Sequence, residues 1–371
     1  MKEPPVRFLV ASPSGDIPVQ TSRLDYPLEG DPLKTPYRLY FQSINDFLIR
    51  DNFSPLLKAI NEQPGLDMAA DAVNELIIRT EKHGALYHPA SVEVLTTHQK
   101  SVKFALNVAI TKTGREALQQ ESSMLKRLHK KFALPYIPKP YDADELNSMF
   151  FLLEEWFEDY HEFHLSRTEP CGQQVKLWEY GKGDRFLTSA QSSEIYRQAA
   201  QILTLYYDLK DFRSICPWHH AAGDFIVKIS DSDQIDVRLT TVRGYAPFMG
   251  HDEDDLVNPA VALFYFLLHV SIQMRLDRFD GVGDLAWADD FCVDATLKGF
   301  FQGLTLKHDF RKCYGSPAEF IQLLQSFNRD DLGKTFAYLL DQYSRTKDFL
   351  LTKKYLNEHI EKLYLTLQNC P

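Results

Sequence analysis

The sequence has no pair of cysteines spaced to hold a metal. Its five cysteines, Cys171, Cys216, Cys292, Cys313 and Cys370, are scattered, odd in number and never form a C-x-x-C pair. That usage fits a reducing compartment and provides no structural zinc site. It has no surplus of positive charge either: 41 Lys and Arg stand against 51 Asp and Glu, a net charge of -10. Affinity for a phosphate backbone rests on clustered cations, so nucleic acid is not an expected partner. The one basic run, "LKRLHKK" from Leu125 to Lys131, reads as a solvated helix face. Long apolar runs are missing as well. "VALFYFLLHVSI", Val261 to Ile272, falls short of the ~20 residues a spanning helix needs. The N-terminal "MKEPPVRFLVASPSGD" lacks the apolar core of a secretory signal. The expectation is a cytoplasmic protein without membrane insertion.

What is present is a chain built to fold. At 371 residues it exceeds the about 250–300 at which single cores stop growing, so two lobes are expected. Residues 1–36 are rich in Pro, Gly, Ser and Asp, with one short apolar run, and read as an arm or as a strand followed by irregular structure. From Ser43 to Lys82 the pattern predicts two helices, "SINDFLIRDNFSPLLKAI" and "DMAADAVNELIIRTEKH", split by "NEQPG". The period then shortens. "SVEVLTT" and "SVKFALNVAIT" alternate apolar and polar residues around an "HQK" turn and predict a hairpin. A helix follows in "GREALQQESSMLKRLHKKF", with Leu118, Met124, Leu125 and Leu128 on one stripe. "SMFFLLEEWFED" reads as a buried strand running into an acidic turn, and "SSEIYRQAAQILTLYYDL" as an amphipathic helix. "DFIVKIS" and "IDVRLTTV" predict two strands around "DSDQ", and from Leu256 onward the chain reads as almost wholly helical. The expected divisions are 1–83, an N-terminal arm and helical pair; 84–158, a small β-rich lobe with one long helix; and 159–371, a large helical lobe.

This order, with the short histidine-rich loop "WHHAAGDFIVK" between the amphipathic helix and the second hairpin, resembles the protein-kinase-like fold. The likeness extends to its aminoglycoside-phosphotransferase relatives and covers about residues 84 to 345. It implies an α+β, two-lobed chain with a helical C-terminal extension, and ATP with Mg²⁺ as cofactor. "KFALNVAI" sits where kinases carry "YALKV", Glu121 where the small-lobe helix carries its ion-pairing Glu, and "FLLEEWFED", with Glu155, where the hinge lies. The loop resembles the phosphotransferase segment H-G-D-x-x-x-x-N. The acidic "HDEDDLVNPAVALFYF" is similar to the segment leading into a large-lobe helix.

The departures are as informative. Phosphoryl transfer requires a cation on the phosphates, acids on magnesium and a residue that orients the nucleophile. Here Asn107 stands in the position of the strand Lys, and no Gly-rich loop precedes the hairpin. With Asp224 at the position of the metal-binding Asn, His219 takes that of the catalytic Asp. Thr241, Val242 and Arg243 then fall where a magnesium-binding Asp belongs. A second, local resemblance joins "VKFALNVAIT" and Arg115 to the K-L-x-L-N-x-x-I-T-x-x-x-R segment of aerobactin-type siderophore synthetases. It implies a role around a nucleotide for Lys103, Thr111 and Arg115.

The candidate catalytic residues are therefore His219, His220 and Asp224, with Asp224 also the candidate metal ligand. Lys103, Asn107, Thr111, Arg115, Glu121, Glu155 and Arg243 are the candidate nucleotide-binding set. For the two histidines both readings stand: a titratable pair facing phosphates, or one core and one exposed imidazole. Asp252 to Asp255 reads as charge at a helix N-terminus. The functional expectation is a diverged, pseudokinase-like binding or regulatory protein. It would hold a small anionic ligand in the cleft between the hairpin and "HHAAGD", or serve a protein partner. The alternative is an ATP-dependent ligase, nucleotidyl transferase or phosphotransferase with a rewired site.

Overall fold

Val6 to Val10, "VRFLV", is a β-strand (β1) that a two-residue strand, β2 (Ile17–Pro18), pairs on one side. Of the two readings of this segment, an arm or a strand, its apolar run is the strand, and it is built into a sheet. In the computed structural model, residues 4–12, 15–63, 66–81, 84, 86–98, 100–169, 172–247, 258–344 and 346–370 are described. Contacts divide the chain into two units, one ending at Glu158 and the other starting at Asp159.

In the first unit β1 is followed by α1 (Tyr37–Asn61), whose helical geometry breaks between Arg50 and Phe53. The stretch expected to form a second helix is instead a strand, β3 (Val73–Thr80). The physical reason is its composition and its neighbours. "VNELIIRT" is rich in β-branched residues, Leu76 and Ile78 alternate into the core, and both strand edges are paired, parallel to β1 and antiparallel to β4. The expected hairpin is β4 (His88–Thr96) and β5 (Ser101–Ala109), and the long helix is α2 (Lys112–Phe132). β6 (Pro140–Leu146) and β7 (Met149–Glu155) complete one seven-stranded sheet in the order β2-β1-β3-β4-β5-β7-β6. That sheet crosses residue 83, where the sequence suggested a division.

Period-2 alternation assigns the two faces of this sheet. Phe104, Leu106 and Val108 of β5, with Phe151 and Leu153 of β7, join Phe41, Ile44, Phe47 and Leu48 of α1 in one apolar core. Lys103, Ala105 and Asn107, and on β7 Leu152 and Glu154, therefore take the opposite face. α2 carries Leu118, Glu121, Leu125 and Leu128 as buried residues and packs against β5, β6 and β7.

The second unit begins with three strands that the sequence reading did not resolve: β8 (His161–Thr168), β9 (Gly172–Glu179) and β10 (Gly183–Phe186). After α3 (Ser189–Tyr206) and the short β11 (Arg213–Ile215) come β12 (Phe225–Ile229) and β13 (Ile235–Leu239), the second expected hairpin. β12 joins β8, giving a five-stranded sheet β10-β9-β8-β12-β13, while β14 (Tyr245–Pro247) pairs β11. The remainder is α4 (Pro259–Gln273), α5 (Phe291–Leu306), α6 (Phe310–Tyr314), α7 (Pro317–Gln325), α8 (Arg329–Tyr343) and α9 (Phe349–Gln368). The expectation of an almost wholly helical end is corrected by a small hairpin, β15 (Leu276–Arg278) and β16 (Leu285–Trp287). α3 and α5 approach closely because a Cβ at Gly299 would lie 2.0 Å from the Arg197 carbonyl oxygen. The acidic run Asp252–Asp255 lies outside the described residues.

Candidate functional site

Two polar clusters, one in each unit, hold most of the candidate residues. In the first unit Asn107 Nδ2 donates to Glu154 Oε1 at 2.7 Å, on the sheet face that α2 covers. Glu121, from α2, accepts from the Tyr87 hydroxyl at 3.0 Å. Glu121 and Glu154 are 3% and 4% exposed, so two carboxylates are buried on one face. Burial, and then the charge of Glu121, raise the Glu154 pKa well above the usual carboxylate range. Glu154 is therefore held as the neutral acid more readily than an exposed Glu.

The cations expected near a nucleotide are engaged elsewhere. Lys103 Nζ lies 4.1 Å from the centroid of the Trp156 ring. Arg115 donates to the Ser148 carbonyl at 2.5 Å and sits 3.5 Å from Glu145 Oε1. Thr111 is the N-cap of α2: its hydroxyl accepts from the Gly114 amide at 3.1 Å, a contact worth about 1 kcal/mol. Gly114 permits a close approach, since a Cβ there would stand 2.1 Å from the Leu86 carbonyl oxygen. Glu155, at the end of β7, accepts from the Lys139 amide at 3.3 Å.

In the second unit the loop after β11 carries His219, a short 3-10 turn (His220–Ala222) and Gly223, whose φ of +68° suits glycine. Asp224 is 1% exposed. It accepts from the His219 amide at 2.8 Å and from both terminal nitrogens of Arg243, the Nη2–Oδ1 bond being 2.6 Å. The sequence placed Asp224 and Arg243 at one site, and the structure joins them as a bidentate ion pair. Arg243 is reached through β13 and the segment Thr240–Val242, where the Thr240 amide donates to the Asp224 carbonyl at 2.7 Å.

His219 is exposed and His220 is 1% exposed, so the two histidines occupy opposite environments. The His220 ring is enclosed by Tyr196, Trp218, Phe163 and Phe225, with centroids 5.0, 5.4, 5.5 and 5.7 Å away. Neither of its nitrogens has a hydrogen-bond partner among the described residues. Burial pushes its pKa down to about 4, which keeps the imidazole neutral.

Beneath this loop lies a constellation the sequence reading did not single out. His164, on β8, is enclosed, with Nδ1 at 3.4 Å from Asp277 Oδ1 and Nε2 at 3.5 Å from Glu162 Oε2. Asp277, on β15, also accepts from the Leu165 and Arg278 amides at 2.8 and 2.7 Å. The polar–apolar alternation of "HEFHLSRT" could have marked β8 as a strand. Nothing local pairs His164 with an acid 113 positions away.

Among the described residues no group of three or more His, Cys, Asp or Glu is placed to hold a metal ion, and no helix is long and apolar enough to cross a membrane. Magnesium is a poor match for the residues at Asp224. Both carboxylate oxygens are bonded, and a fixed guanidinium already supplies the positive charge. No protein-family model matches the chain, and no curated protein matches its sequence.

Proposed function

We propose that this chain is a diverged protein of the kinase-like fold that binds a small anionic ligand, such as a nucleotide, without transferring its phosphate. The observation that carries the proposal is the Asp224–Arg243 pair. In the resemblance, Asp224 takes a metal-ligand position and Arg243 falls among the residues at the other. A cation there neutralises Asp224 directly, in the place where phosphoryl transfer uses a divalent ion. Element order supports it: the antiparallel run β3-β4-β5-β7-β6 with α2 between β5 and β6, then α3, the His219–Asp224 loop and the β12–β13 hairpin. So does the Asn107–Glu154 bond, which leaves a neutral amide where phosphate chemistry requires a cation.

Calorimetric titration with ATP and with ADP, each in Mg²⁺ and in EDTA, tests this. The expected result is binding of similar strength under both conditions, with no turnover of ATP. Arg243→Lys keeps the charge and loses the planar fork, so it should weaken binding by about tenfold. Absence of binding in either buffer, or binding seen only with Mg²⁺, would overturn the proposal.

A further inference from the structure

The end of α4, the β15–β16 hairpin and α9 bring together a group of polar side chains outside the Asp224–Arg243 site. Arg275, between α4 and β15, is 3% exposed, and its Nη2 donates to Asp290 Oδ1 at 2.6 Å. His359, on α9, is fully buried. Trp287, on β16, is the neighbour of both. Arg275 Cζ stands 5.4 Å from the centre of its ring, and the His359 ring meets it edge-on at 5.9 Å. Tyr355, one turn before His359, stacks on the same indole at 5.7 Å. Three buried polar atoms of this group, Arg275 Nε, Trp287 Nε1 and His359 Nδ1, have no hydrogen-bond partner among the described residues. Such atoms are rare in folded proteins, because a buried donor or acceptor left unpaired is costly.

The roles of these atoms follow from their chemistry. Arg Nε and indole Nε1 can only donate. His359 Nε2 is 3.0 Å from Ser271 Oγ, and that hydroxyl gives its single proton to the Leu268 carbonyl at 2.8 Å. Nε2 therefore carries a ring proton and donates to Oγ. Burial, and then the charge of Arg275, hold the His359 pKa well below the ordinary histidine value, so the ring has that one proton only. Nδ1 is left as an acceptor. Two donors and one acceptor are matched by a water molecule, which can accept and donate at once. An anion would accept from the two N–H groups but would face the Nδ1 lone pair. Spacing agrees with this choice: two hydrogen bonds meeting at one oxygen span about 4.5–5.5 Å, close to the separations of Arg275 and His359 from the Trp287 ring.

We propose that Arg275, Trp287 and His359 form an internal hydration site, in which one ordered water accepts from Arg275 Nε–H and Trp287 Nε1–H and donates to His359 Nδ1. Three hydrogen bonds are the usual number for a buried water. The water clasps α9 to the β15–β16 hairpin and to the end of α4, joining polar groups that no direct bond joins. Thr352, whose buried hydroxyl also has no partner among the described residues, lies two turns earlier on α9. It is about 10 Å away along the helix axis, beyond the reach of the same water.

Magnetic resonance on the full chain tests the site, and no readout involves the Asp224–Arg243 pair. Cross-relaxation from water to the Trp287 indole N–H, measured in the laboratory and rotating frames to separate contact from proton exchange, reports a bound water. The indole signal is assigned from its absence in Trp287→Phe. Imidazole ¹⁵N spectra report which nitrogen of His359 is protonated. The expected result is a long-lived water contact at the indole proton and a His359 ring protonated at Nε2 alone. Arg275→Met removes one donor and leaves its partner Asp290 in solvent, so the water contact should weaken severalfold. An indole proton without a water contact would overturn the proposal. So would a His359 ring protonated at Nδ1, or an indole signal that moves with added chloride, which would identify an anion in place of water. A contact unchanged in Arg275→Met would detach the water from Arg275 and overturn the proposal as well. The native chain supplies the first two readouts, so they stand even if Arg275→Met does not fold.

Discussion

The two units bury acids by opposite means. In the first, Glu121 and Glu154 share the α2 face of a sheet with an amide and a phenol, and Glu154 is held towards its protonated form. In the second, Asp224 is met by a guanidinium and Asp277 by the His164 imidazole, whose pKa is raised to about 9, so cationic side chains stand against the acids. A buried carboxylate accepts either solution, but the two respond differently to mutation and pH. Neutralisation by a proton depends on the solution. Neutralisation by a fixed cation depends on the partner residue.

Removing that partner should give the largest effect. Arg243→Ala leaves an uncompensated charge at a residue that is 1% exposed, and the expected loss is about 3 kcal/mol. Asp224→Asn in the same chain should recover most of it, because the amide no longer needs a cation. Urea unfolding, with hydrogen exchange to assign each transition to a unit, checks both statements. Loss of less than about 1 kcal/mol in Arg243→Ala would mean that Asp224 is solvated, and the contrast between the units would fail.

Both clusters also show what a linear sequence reveals. The β4–β5 hairpin, α2, β7, α3 and the β12–β13 hairpin follow local period and capping, and each was legible. β3 was misread because "AVNELIIRT" carries apolar residues at both spacings, and pairing with β1 and β4 decides the matter only after the chain has folded. Asp224 and Arg243 were placed at one site because the hairpin between them is short and regular. His164 with Asp277 was not, since 113 positions separate the two and no periodicity links them. For His219 and His220 one core and one exposed imidazole is one of the two readings of the sequence, but which of the two is buried was not legible. Adjacent positions in a loop have no fixed faces, and the aromatic cage of His220 is assembled from β8, α3, the loop and β12.

That cage gives the next effect in size. The lowered pKa of His220 means that the folded chain binds fewer protons than the unfolded chain between the ordinary histidine value and about 4. Stability of the second unit should therefore fall as pH drops through that window. His269, lowered to about 3 by burial, adds to the same trend. Replacing His220 with Phe removes one of these titrations and extends the aromatic packing. At pH 4 the variant should exceed the native chain by about 2 kcal/mol, with a smaller difference at pH 7. Calorimetric scans at both pH values check it. If His220→Phe is destabilised at both, the ring nitrogens have partners, such as ordered water, that the aromatic replacement removes.

The first unit should show the reverse dependence, with the smallest effect. Glu154 has a raised pKa when folded, so the folded chain holds a proton that the unfolded chain releases, and stability falls as pH rises above the ordinary Glu value. Glu154→Gln supplies a side chain that is neutral at every pH and keeps an oxygen for the 2.7 Å bond from Asn107. The variant should be no more stable than the native chain at pH 4 and about 1 kcal/mol more stable at pH 8. Hydrogen exchange of β5 and β7 reports the change without interference from the second unit's histidines. An unchanged difference across that range would show that Glu154 is ionised throughout and finds a cation. The first unit would then use the same device as the second.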